Sequence, residues 1–115
     1  MSYHTTTSSA VLSPGVAQQV VGPNSNRYEL TLQVTGANPV TFGFGSAPSA
    51  PGKGLTLAGA SAAGGQGGAR VWAQNARQQP EDYYAIKNKG DAVPRQSIWA
   101  LSAAASTVVV IESLP

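Results

Sequence analysis

This chain of 115 residues has no cysteine, one histidine, five acidic and seven basic residues. The missing cysteines exclude disulfides, thiolate metal sites and cysteine nucleophiles, and weaken the case for a small secreted domain, which such bridges usually staple. A catalytic triad needs a positioned base, and His4 lies in a Ser/Thr-rich stretch where a solvated tail residue is expected. The apolar run at residues 108–111 is far too short to cross a bilayer. No basic segment followed by an apolar run opens the chain, so no secretory signal is expected and synthesis in a cytoplasm is. No stretch sustains a helical period, so no helix longer than two turns is expected.

Charge is scarce: 10% of residues are charged, against about a quarter in a free globular domain. The net charge of +2 is too small to imply a nucleic-acid partner. Ser, Thr, Ala, Gly, Asn and Gln must cover the surface instead. That suits a chain whose outside is occupied by neighbours, and equally fits the bias of a Gly- and Ala-rich genome.

The length allows one domain, burying roughly two-thirds of its unfolded surface. The clearest structural signal is residues 26–45, NRYELTLQVTGANPVTFGFG. Tyr28, Leu30, Leu32 and Val34 alternate with Arg27, Glu29, Thr31 and Gln33, which places apolar and polar side chains on opposite faces of a strand. Gly36, Ala37, Asn38 and Pro39 interrupt the run, and Val40, Phe42 and Phe44 resume it, as in a half-buried hairpin or a related strand pair.

Further strands are expected at residues 16–21, 55–57, 96–102 and 107–112, with 70–73 and 83–87 as additional candidates. Residues 107–112 (TVVVIE) are nearly continuously β-branched, as in a strand buried on both faces or central to a sheet. The expected fold is a single all-β sandwich or jelly-roll-like domain of about six to eight short antiparallel strands over residues 15–115. Residues 1–14 form an N-terminal arm, flexible unless a partner holds it, and residues 58–95 form a long irregular excursion.

Chemistry-bearing patterns fail one by one. Glu29, Glu81, Asp82, Asp91 and Glu112 show no convergence and are expected to be solvated charges. No His/Asp/Glu spacing resembles a metal site. Gly52 and Lys53 suggest a phosphate loop, but Ala47 stands where its first Gly belongs and Gly54 where Ser or Thr belongs. The glycines at 64–68 lack a strand–helix context and mark a flexible loop or a tight backbone approach. No catalytic residue, cofactor or metal is expected.

Six of the seven basic residues fall between Lys53 and Arg95, beside Trp72, Tyr83 and Tyr84. Basic groups interleaved with rings suit a single-stranded nucleic-acid platform, although Glu81, Asp82 and Asp91 interrupt them. The same Arg and aromatic enrichment describes a protein–protein hot spot, the reading favoured here. The candidate contacts are Arg70, Trp72, Arg77, Tyr83, Tyr84, Lys87 and Arg95. Trp99 is expected in core packing.

The order of features is distinctive: Asn24-Ser25-Asn26-Arg27, then LTLQVTGANPVTFGFGSAP, then Lys53-Gly54-Leu55-Thr56-Leu57. The run AAGGQGG follows, and last come Ile98-Trp99-Ala100-Leu101 and TVVVIES as a terminal hairpin. Over residues 16–113 this resembles small β-sandwich virion proteins of tailed bacteriophages, the head decoration or capsid cement proteins. The resemblance implies a non-enzymatic protein on the capsid exterior, with the major capsid protein and further copies of itself, as a dimer or trimer, for partners. No nucleic acid and no membrane enter that reading. Residues 70–95 are longer and more basic than such proteins lead one to expect. A module binding carbohydrate or a host surface, with Trp72, Tyr83 and Tyr84 lining a sugar platform on a tail or fibre, is the alternative.

Overall fold

The computed structural model describes residues 4–61, 65–73 and 93–114. Eight strands run in chain order: β1 (His4–Leu12), β2 (Gln18–Val21), β3 (Glu29–Val34), β4 (Val40–Phe44), β5 (Leu55–Leu57), β6 (Ala69–Ala73), β7 (Ile98–Leu101) and β8 (Ser106–Leu114). They build two four-stranded sheets, ordered β1-β8-β3-β6 and β2-β7-β4-β5. Every pairing is antiparallel. First pairs with last, second with seventh, third with sixth and fourth with fifth. The chain is thus a long two-stranded ribbon, doubled at the β4–β5 loop and rolled so that β8 meets β3 and β7 meets β4. That is a jelly roll.

The alternation at residues 28–44 places side chains as expected and strand partners otherwise. Leu30, Leu32, Val34, Val40 and Phe42 are buried in one core, with Phe44 packed at its margin and Tyr28 half-buried. Yet β3 and β4 belong to different sheets, so the expected hairpin is an arch. An arch and a hairpin demand the same inward-facing pattern, because both bring two apolar faces to one core. Gly36 and its neighbours suit either turn. The expected terminal hairpin of β7 and β8 is likewise an arch between sheets.

The N-terminal segment also needs correcting. Residues 4–12 are not an arm outside the domain but pair with β8 along all nine positions, and Leu12 is fully buried. β8 lies inside its sheet, so both of its edges carry backbone donors and acceptors that need partners. β3 satisfies one edge and β1 the other. Threonine suits a strand, and composition alone does not register a pairing made through the backbone.

The Pro51-Gly52 motif is a turn. Lys53 N–H donates to Ala50 O at 3.0 Å, and Gly52 sits at φ +84°. Proline followed by a left-handed glycine is the type II pattern. The glycine-rich stretch closes one end of the sandwich. Gly67 N–H donates to Val34 O at 2.8 Å, and a Cβ there would lie 2.6 Å from the oxygens of Val34 and Ala58. Of the two readings of this run, the tight backbone approach holds at Gly67.

The opposite end is closed by Arg27. Its side chain is 0% exposed, although the alternation assigned it to a polar face. That alternation starts at Glu29, where β3 begins, and Arg27 belongs to the preceding turn, in which Asn24 Oδ1 accepts from Asn26 N–H at 2.9 Å. The guanidinium donates to Glu112 Oε2 at 2.7 Å, to Pro94 O at 2.7 Å, to Gln96 O at 3.1 Å and to Gly22 O at 2.7 Å. Glu112, expected in solvent, is held by this pair at 13% side-chain exposure. A planar fork with five donors can serve a carboxylate and three carbonyls at once, which an ammonium cannot.

Leu32→Ala should cost about 2–5 kcal/mol, because the fully buried side chain leaves a cavity between the sheets. Urea denaturation measures it, and a loss under about 0.5 kcal/mol would contradict the burial. Arg27→Leu should cost about 3–5 kcal/mol by stranding Glu112 and three carbonyls. Adding Glu112→Leu should cost less than the sum of the single changes, the signature of direct coupling in a double-mutant cycle.

Candidate functional site

Residues facing away from the core alternate with the buried ones, so the ladder registers map the outer face of the β1 sheet row by row. One row runs Val71, Thr31, Ile111, Thr7, and the next Ala69, Gln33, Val109, Ser9. Val11 and Thr107 extend the face at one end. At the other end lie Ala73, Glu29, Ser113 and Thr5. Val71 is 60% exposed and Val11 73%. Thr31, Gln33, Val109 and Ile111 are half-buried.

Glu29 is the one charged side chain on this face among the described residues. β-Branched apolar residues are interleaved with hydroxyls and one amide across four strands. Depletion of charge with retained apolar area is the composition of an interface centre.

The described candidate contacts, Arg70, Trp72 and Arg95, do not lie on this face. Trp72 is 7% exposed and belongs to the core, where its ring meets Phe44 edge-on, centroids 5.7 Å apart and planes at 81°. Its register opposite Leu30 points it inward. A buried indole is not available as a contact anchor, so Trp72 is a packing residue. Arg70 is exposed on β6, its guanidinium 5.0 Å from the Trp72 ring centroid, so it covers the ring's outer side as a cation–π partner. Arg95 is exposed, donates from Nε to Arg27 O at 3.4 Å, and accepts at its own carbonyl from Asn24 N–H at 2.9 Å. It braces the turn that carries Arg27. Arg77, Tyr83, Tyr84 and Lys87 lie outside the described residues, as does the candidate strand at 83–87.

Trp99, expected in the core, lies half-buried on the outer face of the β2 sheet between Gln19 and Gly43. Its indole N–H donates to Ser97 Oγ at 3.2 Å. The buried neighbours Ile98 and Ala100 force this, since adjacent residues of a strand face opposite ways. A cleft of about 280 Å³ opens beside Pro39, Thr41, Thr56 and Ser102. Its hydroxyls are engaged: Ser102 donates to Pro39 O at 2.8 Å, and Thr41 and Thr56 share a bond of 3.1 Å. No group of three His, Cys, Asp or Glu side chains that could hold a metal ion occurs among the described residues.

Among known protein families, characterised proteins and solved structures, nothing matches this chain. Function must therefore be argued from the outer face and the sequence.

Neither charge nor large rings mark the outer-face residues in the sequence. The signal was available in residues 107–111: an apolar residue at alternate positions on both faces of a strand means that its second face is also covered or awaits cover. Two substitutions separate packing from contact. Trp72→Ala should lower stability by about 3–5 kcal/mol. Arg70→Ala should lower it by no more than about 1 kcal/mol, as for an exposed cation–π pair. Thermal or urea unfolding reads both, and a Trp72→Ala protein as stable as the parent would return that ring to the surface.

Proposed function

We propose that this protein is a structural virion component that decorates and cements the capsid of a tailed phage, bridging neighbouring major capsid protein subunits from outside the shell. The observation that carries the reading is the charge-poor outer face of β1, β8, β3 and β6, four strands wide, with Glu29 its one charged side chain among the described residues and Val11 and Val71 exposed on it. Such a face suits docking on a protein lattice, where copies bind side by side and a highly charged module would repel its neighbours. The sequence resemblance to decoration proteins points the same way. A jelly roll supports it only weakly, because that fold also builds lectins.

The mechanism is thermodynamic. A protein that binds the assembled lattice, and not its separated subunits, stabilises the lattice by mass action, and many copies add their contributions. No catalysis, cofactor, nucleic acid or membrane is required. A carbohydrate-binding module needs a ring with a free face for stacking. Trp72, the described member of the three rings considered for a sugar platform, is withdrawn into the core, which favours the lattice reading.

Quantitative mass spectrometry of purified virions should find this chain at hundreds of copies per particle. Added to heads stripped of it, the protein should rebind and raise their heat resistance. Val71→Asp combined with Val11→Asp should leave the melting curve of the free protein nearly unchanged and weaken head binding at least about tenfold, or ~1.4 kcal/mol. Absence from virions, or equal binding by the double variant, would refute the proposal; glycan binding by a chain absent from heads would establish the alternative.

A further inference from the structure

The two sheets have four edge strands, and three of them carry features that discourage pairing with another chain. β2 is four residues long, with a register shift between Gln19 and Val21. β5 is three residues long. β6 is five residues long and presents Arg70. β1 has none of these devices. It runs nine residues, pairs with β8 without a shift, and contains no proline, lysine, arginine or carboxylate. His4, Thr5, Thr6, Thr7, Ser8 and Ser9 are all exposed, and no strand lies on the far side of β1 among the described residues.

We propose that β1 is a self-pairing edge. A second copy of this chain adds antiparallel to it about a two-fold axis, joining two four-stranded sheets into one of eight. The occupant follows from charge and symmetry. Identical strands meeting across a two-fold axis are necessarily antiparallel, and each side chain faces one from the same segment. A lysine or glutamate at or beside the axis would lie against its own kind there, and residues 5–12 contain neither. Threonine and serine facing threonine and serine exchange hydroxyl hydrogen bonds across such a ladder.

At about 3.4 Å per residue the ladder spans roughly 30 Å. It covers one side of one strand, less than the ~800 Å² per partner of a standard interface, so the dimer is reversible and concentration-dependent. Pairing also makes the two charge-poor outer faces continuous. The inference does not depend on the capsid reading: a dimer that fails to bind heads would leave it standing, and a monomer that binds heads would leave the capsid reading standing.

Sedimentation velocity of the full chain from about 1 μM to 1 mM tests it, the expected result being a monomer–dimer equilibrium within the range that brackets weak specific association. Thr7→Lys and Thr7→Glu should each weaken the dimer at least tenfold, and an equimolar mixture of the two should recover it through opposite charges. Thr7 is exposed, so circular dichroism and melting should be unchanged. If either variant misfolds, amide exchange of the unaltered chain decides: protection of residues 4–9 should rise with concentration. A monomer throughout the range, dimerisation that neither substitution weakens, or exchange independent of concentration would overturn the proposal.

Discussion

A fully buried guanidinium without acceptors would be intolerable in a protein interior, and Arg27 makes the open end of this sandwich conform to that constraint. Its four hydrogen bonds reach the segment before β3, the segment before β7, and β8. These three pieces of chain are remote in sequence and belong to both sheets. Arg27 therefore ties the sheets at the end where the β2–β3 connection crosses between them. Arg95 and Asn24 reinforce the same corner through backbone carbonyls.

The other end is closed by backbone bonds together with side-chain bonds between the β3–β4 and β7–β8 arches, from Asn38 to Ala105 O, Ser102 to Pro39 O and Ser106 to Asn38 O. The β3–β4 arch meets the segments around Gly59 and Gly67 through bonds such as Ala60 N–H to Gly36 O at 2.7 Å. Side chains there would hold the strands apart. Between these two ends the core is aliphatic, with Phe42 and Trp72 filling its width. The strands that meet are mostly far apart along the chain, β1 with β8 above all. Such nonlocal pairing makes folding slow relative to a fold of local hairpins.

The described part of the molecule offers an outer face whose one charged side chain is Glu29 and a long unguarded edge, both contributed by the β1 sheet. Those features suit repetition, since each copy presents the same face and edge to its neighbours. The basic aromatic residues that stand out in the sequence are partly spoken for by the fold. Trp72 packs, Arg70 covers it, and Arg95 braces a turn.

The sequence by itself determined the all-β class and the inward faces of β3 and β4, because period-two alternation is a local property. It could not determine that β3 and β4 part into different sheets, since an arch and a hairpin have the same pattern. Nor could it determine that residues 4–12 are a strand, because their pairing is carried by backbone groups every residue possesses. Arg27 looked like one more polar residue, and only the convergence of Gly22, Pro94, Gln96 and Glu112 makes its burial possible. The candidate face was half legible in the apolar residues of 107–111, but its breadth depends on which strands lie beside β8. Strand neighbours are chosen by the packing of the whole chain, and that choice decided which residues became surface.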